Sequence, residues 1–143
     1  MSVASTAQHS IPSANQPIVS TDQAISLFAA AISHPLTNET VAFLIDGCNR
    51  ANTIVVVSGT EQPDDVIEVA EIMAMTGSRS AELCGLVIAS VRSTSLLLPG
   101  DLDRWWNLQA ITDSHGIELV EWIVVGPGGI ECPRQLVGEP ERW

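Results

Sequence analysis

The feature that most constrains the fold is a continuous apolar run at residues 83–89, LCGLVIA, in the middle of the chain. This run lacks the alternation of polar and apolar residues that marks a half-exposed strand, so it predicts a strand that is buried on both faces. Such a strand needs other elements packed against each side of its sheet. The chain must therefore build a sheet that is covered on both faces.

Segments of helical and β-type spacing flank this strand. In chain order they are a helix that Thr21 can cap, a hairpin from residues 41–45 and 54–57, a helix from Pro63, the strand itself, a helix around Trp105, and strands at 117–125 and near Ile130. Gly126, Pro127, Gly128 and Gly129 join the last two strands as a turn. This order predicts an α/β sandwich around one mixed sheet.

The chain length of 143 residues corresponds to one domain. Residues 1–20 contain no charged side chain and are rich in Ser, Ala, Gln, Pro and Asn, so we expect a flexible or loosely docked leader there. The domain itself is expected to occupy residues 21–143.

The charge balance excludes several classes of partner. All 6 basic residues are Arg, against 17 Asp and Glu, and the formal net charge is -11. Direct nucleic-acid binding needs a cationic track, which this chain lacks, and an anionic membrane surface is disfavoured for the same reason. The three cysteines, Cys48, Cys84 and Cys132, form no CxxC pair and suit the reducing cytoplasm.

The histidines give no metal-binding motif. His9, His34 and His115 are far apart in the sequence, whereas a zinc site usually takes two or more His or Cys at short spacing. We therefore expect these histidines to be ordinary structural or surface residues.

Residues 39 to about 136 resemble the RadC-type JAB/JAMM (MPN) domain, which has a zinc-metalloprotease-like, deaminase-like α-β-α fold. The resemblance runs through Glu39 with the strand at 41–46, the turn Asn49-Arg50, Gly59-Thr60, the strand at 86–89, the segment PGDLD at 99–103, and the segment GIELVEWIVVG at 116–126. Its most specific part is the joint spacing of the strand end, the loop and the helix that follows.

The resemblance implies a degenerate site. Active family members carry two zinc-binding histidines at the strand end, an oxyanion serine and a zinc-binding aspartate at the next helix start, and a general-base glutamate. By position, Ser90 and Arg92 replace the histidines, Gly100 replaces the serine, Asp103 matches the aspartate, and Glu39 matches the glutamate. Because Arg offers no lone pair to a metal, we predict that zinc is absent and that no catalytic residue operates.

The substitution suggests what fills the metal position. We hypothesise that the Arg92 guanidinium pairs with Asp103, Glu39 or both, because two carboxylates facing each other in a cleft without a cation would be costly. The alternative is that Arg92 points to solvent and that the cleft is filled by water.

The predicted function is a catalytically inactive scaffold or protein-interaction module that binds a protein partner or forms a homodimer. Trp143, beside Arg142, could anchor such a partner, or it could fold back on its own domain. An alternative is a hydrolase that uses the same cleft with non-standard metal ligation or with metal-free acid-base chemistry from Glu39 or Asp103. A third possibility is an acidic competitor for a partner's nucleic-acid site.

Overall fold

The computed structural model describes residues 5–10, 16–51 and 53–143, the first of these ranges by its backbone alone. Its strands are β1 (Ser5–Ser10), β2 (Glu39–Asp46), β3 (Thr53–Ser58), β4 (Leu83–Val91), β5 (Glu118–Gly126) and β6 (Gly129–Glu131). Its helices are α1 (Thr21–Ala31), α2 (Asp65–Gly77), α3 (Asp101–Ser114) and α4 (Pro133–Leu136).

The strands form one mixed sheet in the order β1-β3-β2-β4-β5-β6. Strands β2 and β3 form the antiparallel hairpin that the two apolar runs predict, and β2 also pairs antiparallel with β4. Strand β4 is parallel to β5, and α3 makes the connection between them. The predicted fold class, an α/β sandwich around a mixed sheet, is confirmed.

Helices cover both faces of the sheet. One face packs its Val41, Phe43 and Val87 against Phe28 of α1. The other face packs Leu86 and Ile88 against α2 and α3, where Trp105 and Leu108 are fully buried. From Gly85 onward, strand β4 sends alternate residues into each core, which confirms that this part is buried on both faces, whereas Leu83 is partly buried and Cys84 is exposed.

The expected leader differs from the structure in two places. Strand β1 lies inside residues 1–20 and pairs antiparallel with β3, and Ile18 is 5 % exposed and belongs to the core beside α1. The Ile18 N–H also donates to the Asn49 carbonyl at 2.8 Å. The prediction of a leader that is separate from the domain is therefore corrected for residues 5–10 and 16–20, while residues 1–4 and 11–15 lie outside the described part.

Two element boundaries depend on side chains or close contacts that the pattern did not specify. Ser20, not Thr21, caps α1, because its hydroxyl accepts a hydrogen bond from the Gln23 N–H at 3.2 Å. The turn predicted at residues 126–129 joins β5 to β6 as expected. A Cβ at Gly126 would clash with the Ser95 carbonyl oxygen, so glycine is needed where β5 passes this loop.

Candidate functional site

The five residues of the predicted cleft fall into two separate depressions. Glu39, Ser90 and Arg92 line a cavity of about 290 Å³ at the ends of β2 and β4. Gly100 and Asp103 instead line a shallow groove of about 610 Å³ between the start of α3 and α4. The structure therefore brings three of the five together and leaves the other two in a neighbouring groove.

The Arg92 guanidinium is held by Asp101, not by Asp103 or Glu39. Its two terminal nitrogens donate to the two Asp101 carboxylate oxygens at 2.8 and 2.9 Å, and the first nitrogen also donates to the Leu96 carbonyl at 2.6 Å. The side chains of Arg92 and Asp101 are 9 % and 3 % exposed. The pairing hypothesis is thus wrong about the partner, and the alternative of a solvent-exposed Arg92 is also wrong.

Helix geometry explains why the partner is Asp101. Two residues along an α-helix turn the side-chain direction by about 200°. Asp101, the first residue of α3, is buried and points to the loop that precedes the helix, whereas Asp103 is exposed. The side chains of the two aspartates therefore lie on different sides of α3, although the residues are only two positions apart.

Asp101 is the acceptor at the centre of this cluster. Besides Arg92, its carboxylate accepts from an Arg104 terminal nitrogen at 2.8 Å and from the Leu98 N–H at 2.7 Å. Burial raises the pKa of this carboxyl, but hydrogen bonds from Arg92, Leu98 and Arg104, together with the Arg92 charge, outweigh burial and lower the pKa below its ordinary value. The carboxyl is therefore ionised at neutral pH and holds both guanidinium groups.

Glu39 belongs to the opposite face of the sheet. It pairs with Val91 across β2 and β4, so its side chain points to the same face as Val91 and away from Ser90 and Arg92. Its carboxylate accepts from the Ser33 N–H at 3.0 Å, in the segment that follows α1. Because its carboxylate is engaged on that face, Glu39 is not placed to act as a base in the cavity.

Ser90 and Gly100 have structural roles of their own. The Ser90 hydroxyl accepts a hydrogen bond from the Trp122 indole N–H at 3.0 Å, and Ser90 is 7 % exposed. Gly100 precedes α3 with φ of +88°, a conformation that disfavours residues with a Cβ. A serine at position 100 would be strained, so this helix start is shaped for glycine.

The residues present do not fit a zinc ion. Neither Ser90 nor Arg92 offers a nitrogen lone pair, the Arg92 charge would repel a cation, and Asp103 lies in the other groove. Within the described residues, no three His, Cys, Asp or Glu side chains are grouped so that they could hold a metal ion. We derive no chemical step through a metal at this site.

The C-terminal segment packs on its own domain. The Trp143 indole N–H donates to the Thr21 hydroxyl at 3.1 Å, and the ring is half-buried against the α1-side core. Arg142 donates to the Leu119 carbonyl at 3.0 Å and lies 5.1 Å from the centre of the Trp105 ring. Trp143 therefore folds back on its own domain, as one of the two expectations has it, while its role as an anchor for a partner stays a prediction.

A buried polar network that sequence reasoning missed explains this docking. Glu121 is fully buried on β5 and accepts from Arg134 at 2.9 Å and from the Thr21 hydroxyl at 2.8 Å. Through Thr21 the network reaches Trp143, so it ties the starts of α1 and α4 to the sheet and to the chain end. A carboxylate inside the apolar strand at 117–125 was the available signal, because a buried charge requires a partner.

The shallow groove exposes apolar side chains. Leu97, Leu102 and Leu136 line it and are 41, 45 and 49 % exposed. Trp106 is 43 % exposed and lies one helical turn beyond Leu102 on the same face of α3. We call these four residues and Asp103 the α3 groove.

No protein-family model matches the chain, and no curated protein is significantly similar to it in sequence. None of the helices in the described part is long and apolar enough to cross a membrane.

The three cysteines are free thiols, with Cys48 and Cys84 exposed and Cys132 buried.

Proposed function

We propose that the chain is a catalytically inactive RadC-like JAB domain that acts in the cytoplasm as a protein-interaction module. The observation that carries this proposal is the buried, bidentate Arg92–Asp101 pair. It puts a permanent cation at the strand end where the family resemblance expects a zinc-binding histidine. Guanidinium nitrogens donate hydrogen bonds but offer no lone pair, so the pair can stabilise the loop but cannot activate water.

The arrangement also disfavours metal-free acid-base chemistry. That alternative requires two carboxylates near one cavity with separated pKa values. Glu39 is directed to the α1 side of the sheet, and Asp103 lies in the α3 groove, so the two do not form such a pair. Asp101 is ionised and engaged with two arginines, which leaves it a poor proton acceptor.

The surface charge supports a protein partner over nucleic acid. In the part of the chain that the structure describes, the arginines Arg92, Arg104, Arg134 and Arg142 are ion-paired with carboxylates of the same chain. The net charge of the solvent-exposed surface is therefore mainly negative. Such a surface repels phosphate backbones and attracts basic proteins.

Metal analysis of the purified full-length chain tests the inactive state. After dialysis against zinc and then against metal-free buffer, we expect substoichiometric zinc, together with the same urea-unfolding midpoint with and without chelator. Stoichiometric zinc that survives dialysis and is lost in Asp103→Ala would overturn the proposal. Asp113→Ala, which removes another carboxylate from the same helix, is the matched control.

A further inference from the structure

The α3 groove combines a large apolar contact surface with free negative charge. Exposed apolar side chains that cluster beside one helix commonly mark a binding surface, and here they come from the loop before α3, from α3 itself and from α4. Asp103 lines the groove and is exposed. Asp64, with 77 % of its side chain exposed, is joined to the helix start by its 2.7 Å bond to Arg104.

The inward-facing arginines leave this surface acidic. Arg104 donates to the Pro99 carbonyl at the edge of the groove, but its side chain is 14 % exposed and is ion-paired with Asp64 and Asp101. Among these described residues, Arg92 and Arg104 are balanced by Asp101 and Asp64, so the negative charge that a partner meets in the groove itself is that of Asp103. A second copy of this chain, with a net charge of -11, would bring the same sign of charge to the same surface.

We propose that the α3 groove binds a basic amphipathic helix of a partner protein. Leucine-type anchors of the partner would pack between Leu102, Trp106 and Leu136, and its Lys or Arg side chains would flank them and face Asp103. Apolar residues one turn apart on α3 suit the spacing of anchors along a second helix. This inference rests on the proposed binding function and adds the class of partner and its place on the domain.

Titration with designed peptides tests the groove. The probe is a Leu/Lys amphipathic peptide of about 14 residues, roughly four helical turns, added to the ¹⁵N-labelled full-length chain in roughly 150 mM salt, where long-range attraction between charges is screened. A Leu/Glu peptide of the same pattern controls for apolar contact alone. A Ser/Lys peptide controls for charge alone.

We expect saturable binding of the Leu/Lys peptide, with shifts of amide signals from residues 97–106 and 135–137. The double variant Leu102→Ser/Trp106→Ser should weaken binding by about tenfold or more, and Leu136→Ser alone should weaken it severalfold. The matched control, Ile72→Ser/Met75→Ser, removes two exposed apolar residues from α2 and should leave binding unchanged. Asp103→Asn should weaken binding and reduce its dependence on salt.

Three results would overturn the inference. One is equal binding of the Leu/Lys and Ser/Lys peptides, which would indicate unspecific attraction to an acidic surface. Another is equal weakening by the α2 control variant. The third is a concentration-dependent dimer of the chain alone that Leu102→Ser/Trp106→Ser abolishes, which would make a second copy the occupant. All three concern the groove, whereas the metal analysis above concerns the inactive site, so the two proposals fail separately.

Discussion

Replacing Asp101 and Asp103 separately by asparagine distinguishes the observed ion pair from the one that the family resemblance suggests. Both substitutions remove one negative charge from the first turn of α3, so their effects on net charge and on the helix dipole are matched. Asp101, however, accepts hydrogen bonds from Arg92, Arg104 and Leu98, while Asp103 is exposed. The difference in free energy of unfolding between the two variants therefore measures how much the buried hydrogen bonds and ion pairs of Asp101 stabilise the fold.

The magnitudes follow from burial and from the number of bonds. Asp101→Asn leaves the buried Arg92 charge without its counter-ion, and removing one partner of such a pair costs about 3–5 kcal/mol. Arg92→Met costs about 2–3 kcal/mol, because Asp101 keeps Arg104 and the Leu98 N–H as donors. Asp103→Asn should change stability by less than about 0.5 kcal/mol, as is usual for an exposed side chain.

Urea unfolding at pH 7, followed by tryptophan fluorescence, measures these differences. The free energy of unfolding falls by about 1–3 kcal/mol per molar urea, so the unfolding midpoint of the Asp101→Asn variant should be lower by about 1 M or more. The double variant Arg92→Met/Asp101→Asn should be more stable than the sum of the single effects predicts, since it leaves no unpaired charge. A loss for Asp103→Asn as large as that for Arg92→Met would refute the reasoning, as would a loss below about 1 kcal/mol for Asp101→Asn.

Three further results are expected. Because the Asp101 pKa is lowered in the folded state, its stabilisation is complete above the unfolded pKa of about 3.9 and is lost as pH falls through the folded pKa; the acid limb of stability should be shallower in Asp101→Asn. Arg134→Leu should destabilise the chain by about 3–5 kcal/mol, and adding Glu121→Gln should restore part of that loss in the same urea assay. Burial, with Glu121 nearby, raises the Cys132 pKa to about 11, so at pH 8 its reaction with iodoacetamide, followed by mass spectrometry, should be far slower than that of the other two thiols.

The arrangement of elements could be predicted because apolar spacing reports directly on burial. The run at 83–89 is the centre of the sheet, and the hairpin, the three long helices and the last two strands lie where their patterns place them. Strand β1 was missed because its sequence, STAQHS, carries no apolar alternation. Helix α4 was missed because four residues are too few to show a period.

The candidate site was less predictable because it depends on which face of a strand or helix each side chain lies on. The family alignment places Glu39 near Arg92, but the cross-strand partner of Glu39 is Val91, and a one-residue step in a strand reverses the face. In the same way, the choice between Asp101 and Asp103 depends on where α3 begins. The family resemblance drew attention to Arg92, whereas its partner could be identified only from the three-dimensional register.

The Arg92–Asp101 pair also bears on how this loop can change in evolution. A histidine at position 92, neutral for most of its population at pH 7, would leave Asp101 without its bidentate donor. A single step from arginine to histidine therefore passes through a less stable protein, and changing position 101 first passes through one that is less stable still, because it leaves the buried Arg92 charge without its counter-ion. Once established, a pair of this kind makes the order of substitutions matter, and it keeps the strand end in its present form even without selection on any activity.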